Sequence, residues 1–207
     1  MIKKIKEIIA PPEEEKKVVI IDPAALGGQQ EPDLRVVGLF ADVNEEKIAE
    51  ILHSMLFFNA LNMQSAEEDK KPIIFYISTY GGNADDMFAM YDMMRGMRDT
   101  TEIHTVGLGK VMSAGVLMLA AGTKGHRYIG KNCRVMIHSV MGGNHGSLHS
   151  MMNEMEAIEQ LQDMYCDALI SETRLTRVKL KNMLERKVNV YLSAEEAVEL
   201  GIADEII

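Results

Sequence analysis

Ser113 stands in the small-residue run Gly-Lys-Val-Met-Ser-Ala-Gly (109–115), between an apolar strand-like segment and an apolar helix-like one. His138 follows 25 residues later, at the end of a second apolar run, Arg-Val-Met-Ile-His-Ser-Val-Met-Gly-Gly (134–143). A serine hydroxyl becomes a good nucleophile only when a neighbouring base takes its proton. Histidine titrates close enough to pH 7 to take that proton and later return it. A third piece, Ser-Thr-Tyr-Gly-Gly-Asn (78–83), puts two glycines between a strand and a helix. Unpaired backbone N–H groups at such a turn can hold an oxyanion. Each feature has an ordinary explanation: Ser113 as a helix cap, His138 as a core histidine, Gly-Gly as a plain turn. Together they point to acyl transfer through a serine.

The elements that must position these residues follow from the apolar pattern. Residues 34–207 alternate between strands and helices. Strands are expected at Arg35–Phe40, Pro72–Ser78, Ile103–Leu108, His126–Ile129 and Val135–His138. Pro72–Ser78 is nearly continuous in apolar residues, as strands covered on both faces are. Asn44 caps a helix whose first turn holds Glu45 and Glu46 and whose buried stripe is Ile48, Ile51, Leu52, Met55 and Leu56. Further helices are expected at Asn83–Met97, Ser113–Ala121, Ser147 to about Glu172, Thr176–Arg186 and Ser193–Leu200. Met87, Met90, Met94 and Met97 share one helical face and read as core filler, since methionine adapts to irregular gaps. The pattern predicts an α/β domain with a mostly parallel sheet, flanking helices and a long helix after residue 147 that projects from it. Residues 1–33 read as an irregular arm with one strand candidate, Lys17–Ile21.

Composition narrows the function classes. The formal net charge of -9 argues against nucleic acid as a partner. No apolar run reaches the length of a membrane span, and the N-terminal segment is too short in apolar residues for a signal peptide. The two cysteines, Cys133 and Cys166, have no metal-type spacing and suit free thiols in a reducing compartment, here expected to be the cytoplasm. His145 and His149 are four apart, but no third ligand accompanies them. No metal site and no cofactor are expected.

Four segments in order, Ser78–Asp92, Gly109–Leu119, Arg134–Gly143 and Tyr191–Gly201, resemble ClpP, the proteolytic subunit of the ATP-dependent Clp protease. The resemblance runs from about Leu34 to the C-terminus. It implies the fold shared by ClpP and the crotonases, with a handle at about residues 140–175, and a serine endopeptidase acting on unfolded polypeptides. By position, Ser113 is the nucleophile and His138 the base, with the N–H groups of Gly82 and Ala114 as the oxyanion hole. An extended peptide is held beside Gly81, Asn83 and Ala84 on one side and Gly142 and Gly143 on the other. The resemblance further implies a homo-oligomer of two stacked seven-membered rings, an axial pore lined by residues 1–33, and a hexameric AAA+ ATPase unfoldase as partner.

One position departs from the family pattern in a way that bears on the chemistry. The third member of the triad, normally aspartate, falls on Asn189. Asparagine can accept a bond from imidazole but cannot offset its charge, so a slow peptidase is expected. Ser139-Val140 replaces the usual Gln-Pro, and Lys187-Val188 falls where a charged pair often bridges the rings. Three alternatives follow: a weak or inactive partner subunit in a mixed ring, a prohead-type maturation protease of the same fold, and a crotonase-like acyl-CoA enzyme.

Overall fold

The computed structural model describes residues 34–143, 145–186 and 189–207. The expected arm at 1–33, with its strand candidate Lys17–Ile21, lies outside the described residues, as does the Lys187-Val188 pair. Arg35–Ile207 forms one compact unit.

Among the described residues, seven strands make its sheet: β1 (Val36–Leu39), β2 (Ile73–Thr79), β3 (Ile103–Met112), β4 (Arg127–Ile129), β5 (Arg134–Ile137), β6 (Val190–Leu192) and β7 (Glu205–Ile206). The main path runs β1-β2-β3-β4-β7, while β5 pairs with β3 and β6 with β5. All pairings are parallel except β5–β6. In β2, Ile73, Phe75, Ile77 and Thr79 are buried and the alternate residues half-buried, so both faces are covered.

The sequence pattern stops β3 at Leu108, but the strand continues to Met112 and changes partner on the way. Thr105–Gly107 pair with Arg127–Ile129, and Lys110–Met112 pair with Arg134–Met136. Between the two halves lies Gly109, at φ 64°, and the β2–β3 register slips between Ile77 and Thr79. This change of neighbour sets the end of β3 beside the end of β5.

Helix α1 (Glu45–Gln64) starts at Asn44, whose side chain accepts the Lys47 N–H at 3.0 Å. Ile48, Ile51 and Met55 are buried and Leu52 packs against them; Leu56, expected in the stripe, is 46% exposed. The stripe is therefore narrower than the sequence suggests. Helix α2 (Ala84–Met97) is capped by Asn83 and buries Met87, Met90, Met94 and Met97, each stabilising by about 2 kcal/mol. Helix α3 (Ala114–Ala120) is buried at all seven positions. It packs against α2, β2, β3, β5 and α4 (Leu148–Glu172).

The 25 residues of α4 span roughly 37 Å. Its buried residues, Tyr165, Ala168, Leu169 and Glu172, all lie near its C-terminal end. Leu148, Met151, Met152 and Met155 are exposed, so the first turns project from the body of the fold. Helix α5 (Arg177–Arg186) follows, then α6 (Ala194–Glu199), which Ser193 and Glu196 start with a reciprocal capping box. No helix among the described residues is long and apolar enough to cross a membrane.

Candidate active site

Ser113 sits between the end of β3 and the start of α3, the position of an N-cap, yet its side chain makes no capping bond. Its Oγ instead lies 2.8 Å from His138 Nε2. Ser113 is the one non-glycine among the described residues with positive φ, at 52°. A backbone in that region is strained for any side chain and persists only where its surroundings hold it. Here the Ser113 N–H donates to Met136 O at 2.8 Å, and its carbonyl accepts from the Val116 N–H at 3.0 Å and Tyr165 Oη at 3.1 Å. The turn is thus fixed by β5, α3 and α4 together, and it aims the hydroxyl away from the helix.

His138 directly follows β5 and is half-buried. Burial holds its imidazole below the ordinary 6.5, and a backbone hydrogen bond with Ser139 works in the opposite direction. The ring is therefore neutral near pH 7, the form in which Nε2 can accept the Ser113 proton.

The glycine turn lies on the other side of the serine. A Cβ on Gly81 would stand 2.6 Å from Ser113 Cβ, so only glycine lets the two turns touch. The Gly81 N–H is taken by Thr79 Oγ1 at 3.0 Å. Val43 bridges both sides of Gly82: its N–H donates to Gly81 O at 2.8 Å and its carbonyl accepts the Asn83 N–H at 2.9 Å. Among the described residues, neither the Gly82 N–H nor the Ala114 N–H is engaged by another protein group. Two free N–H groups beside a serine hydroxyl are the kind of donors an oxyanion hole uses.

These residues open onto a cleft of about 450 Å³ lined by Gly82, Asn83, Ala84, Ser113, Ala114, His138 and Gly142. Of the other expected binding positions, Gly81 lies buried behind Ser113, and Gly143 is exposed and does not line the cleft. Asn83 is also the α2 cap, its Oδ1 accepting the N–H groups of Asp85 and Asp86 at 2.8 and 3.0 Å.

Asn189 is placed differently from the pair. Ile137 pairs with Val190 in the antiparallel β5–β6 ladder, so continuing that register sets Asn189 opposite His138. Its side chain is nevertheless exposed and makes no hydrogen bond to the ring. The structure joins Ser113 to His138 and leaves Asn189 across the strand from them.

The family model described as Clp protease matches residues 30–207. The chain belongs to the Clp protease family. Clp proteases are peptidases, and they generally form oligomeric rings with ATPase partners.

Sequence reasoning missed several residues that hold this Clp-type site together. Tyr165 reaches the Ser113 carbonyl from α4, and burial pushes its phenol far up, so it stays a neutral donor. It is the only Phe, Tyr or Trp in that helix, the one signal that could have marked it. Gln162 accepts the Val140 N–H at 2.7 Å, so the proline-to-valine departure after His138 supplies a bond that tethers this loop to α4. Tyr80 stands on the cleft with Lys110 Nζ 4.6 Å from its ring centroid. His145 and His149 are exposed and, among the described residues, join no three-ligand cluster.

Proposed function

We propose that this chain is a serine endopeptidase subunit of a self-compartmentalised Clp-type protease, slowed by asparagine at the triad's acid position. The observation that carries this reading is the 2.8 Å contact between Ser113 Oγ and His138 Nε2, made by a serine that does no capping. In this mechanism Ser113 Oγ attacks the scissile carbonyl as His138 Nε2 takes its proton. The oxygen of the tetrahedral intermediate moves between the N–H groups of Gly82 and Ala114. His138 then gives its proton to the leaving amine, and water repeats the sequence on the acyl-serine. Asn189 can offer no negative charge to the transient imidazolium, which is the expected source of slowness.

The peptide lies extended along Gly82–Ala84 and past Gly142, held by backbone bonds that read little of its sequence. Residues 34–207 are the peptidase domain, residues 1–33 line the axial pore, and projecting α4 joins two stacked seven-membered rings. A hexameric AAA+ unfoldase supplies unfolded polypeptide in the cytoplasm. No metal or cofactor enters the reaction. A second reading, a weak or inactive partner in a mixed ring, is favoured by the absence of a bond between Asn189 and His138.

Labelling the assembled full-length protein with a fluorophosphonate tests the proposal, with Ser113→Ala as control. Labelling that disappears in the variant supports an activated Ser113. An intact ring that does not label rejects it in favour of the inactive partner. The labelling rate has a further signature. With its pKa held below 6.5, more than half of His138 is deprotonated at any pH above that value, so the rate reaches half its maximum only below pH 6.5. A rate that already halves above pH 6.5 contradicts His138 as the base.

A further inference from the structure

At the end of β3 remote from Ser113, three side chains with metal-binding chemistry meet across two strands. His104 lies in β3, and Glu102 stands two residues before it, on the same face by the period of a strand. Thr105 pairs with Arg127, so the same register sets His104 beside His126. The two imidazoles stack with centroids 4.2 Å apart and planes 5° from parallel. Glu102 Oε2 is 3.0 Å from His104 Nε2, and one ligand atom from each of the three residues falls within 4.8 Å of the others.

We propose that Glu102, His104 and His126 form a binding site for a divalent transition metal ion of the zinc type. Two imidazole nitrogens and one carboxylate oxygen make a three-ligand set that leaves a fourth tetrahedral position for water. Such donors select against magnesium and calcium, which take oxygen ligands. With bonds of ~2.1 Å, tetrahedral donors stand ~3.4 Å apart. The Glu102–His104 separation is already close to that, and a tilt of the stacked rings closes the widest gap.

The frame is built before any ion arrives. The Glu102 carbonyl accepts the Ile73 N–H at 2.9 Å, the His126 carbonyl accepts the Thr105 N–H at 3.1 Å, and the His126 N–H donates to Thr123 O at 2.9 Å. The Tyr128 hydroxyl lies 3.4 Å from His126 Nδ1, so an ion on Nε2 leaves Nδ1 to an outer partner that steadies the ring. Both histidines are half-buried and Glu102 is exposed, so the ligands are held yet reachable from solvent. An ion there clamps β3 to β4, a strand of only three residues. The site lies roughly 25–30 Å of strand away from Ser113, so it belongs to the framework and not to the cleft.

The test uses the full-length protein, stripped with a chelator and titrated with cobalt(II), then with zinc in competition. The expected result is one ion per chain, the visible absorption of tetrahedral cobalt, and a melting temperature raised by zinc. The His104→Gln, His126→Gln double variant loses the cobalt absorption and the zinc-dependent rise. Glu102→Gln, a change at an exposed side chain that reports even if the double variant fails to fold, binds at least ~10-fold more weakly. Metal binding that survives in Glu102→Gln at unchanged affinity overturns the proposal, as does an octahedral cobalt spectrum or no binding by the wild-type chain.

Discussion

Replacing Asn189 by aspartate is expected to raise peptide turnover by ~10²–10⁴-fold, the larger figure being what the reverse exchange costs in a trypsin-type triad. The β5–β6 register sets residue 189 opposite His138, and directly opposed side chains on an antiparallel pair share one face of the sheet. A carboxylate there can turn onto the imidazole and offset the charge that the ring gains when it takes the Ser113 proton. Two measurements separate this from a mere change of surface charge. The acid limb of the pH profile moves to higher pH, because a nearby anion favours the protonated ring. The gain also appears in kcat, with KM little changed, because the imidazolium exists only along the reaction path. Unchanged kcat and an unmoved acid limb would mean that residue 189 does not occupy the acid's place. The Ser139 backbone would then be the ring's remaining support.

Gly82→Ala is expected to lower kcat by ~10²–10³-fold, the usual cost of losing one oxyanion-hole donor. Gly82 has φ 152°, and an added Cβ would stand 2.1 Å from Val43 O and 2.8 Å from Val43 N. These are backbone atoms and cannot swing aside as a flexible side chain would. The Val43–Gly82 bridge must therefore open, releasing the bonds through which Val43 holds Gly81 and Asn83. Once they are released, the Gly82 N–H no longer points at the oxygen of the intermediate. Ser113 and His138 are not touched by this change, so their 2.8 Å contact persists. Steady-state kinetics on a short fluorogenic peptide, with a thermal melt on the same sample, check the result. A folded variant with wild-type kcat rules out Gly82 as an oxyanion donor.

The order of the larger elements was legible because the chain marks them locally. Asn44, Asn83, Ser147 and Ser193 each cap the helix expected after them. β2 announces itself by its apolar run. The end of β3 was not legible, since Gly107, Gly109 and Lys110 read as strand breakers. The strand survives them because its second half finds a new neighbour in β5. β6 and β7, of three and two residues, are too short for any period to show. In the site, Ser113 and His138 could be read because each ends a strand with a distinctive local pattern. Thr79, Gln162 and Tyr165 could not, because their roles lie in contacts with backbone groups of other segments. The same limit hid Glu102, His104 and His126: ligand spacing is sought along the chain, and these residues meet between parallel strands.

Two groups of methionines differ in their exposure to oxidants. Met87, Met90, Met94 and Met97 are sealed in the core, where peroxide cannot reach the sulfur. Met151, Met152, Met155 and Met164 line α4 in the open. Oxidation to the sulfoxide turns a pliable apolar side chain into a stiffer, polar one. An oxidant therefore reaches the projecting helix, together with Met63 and Met141, before it reaches the core. If that helix is covered when rings join, sulfoxide on α4 becomes a chemical record of time spent unassembled.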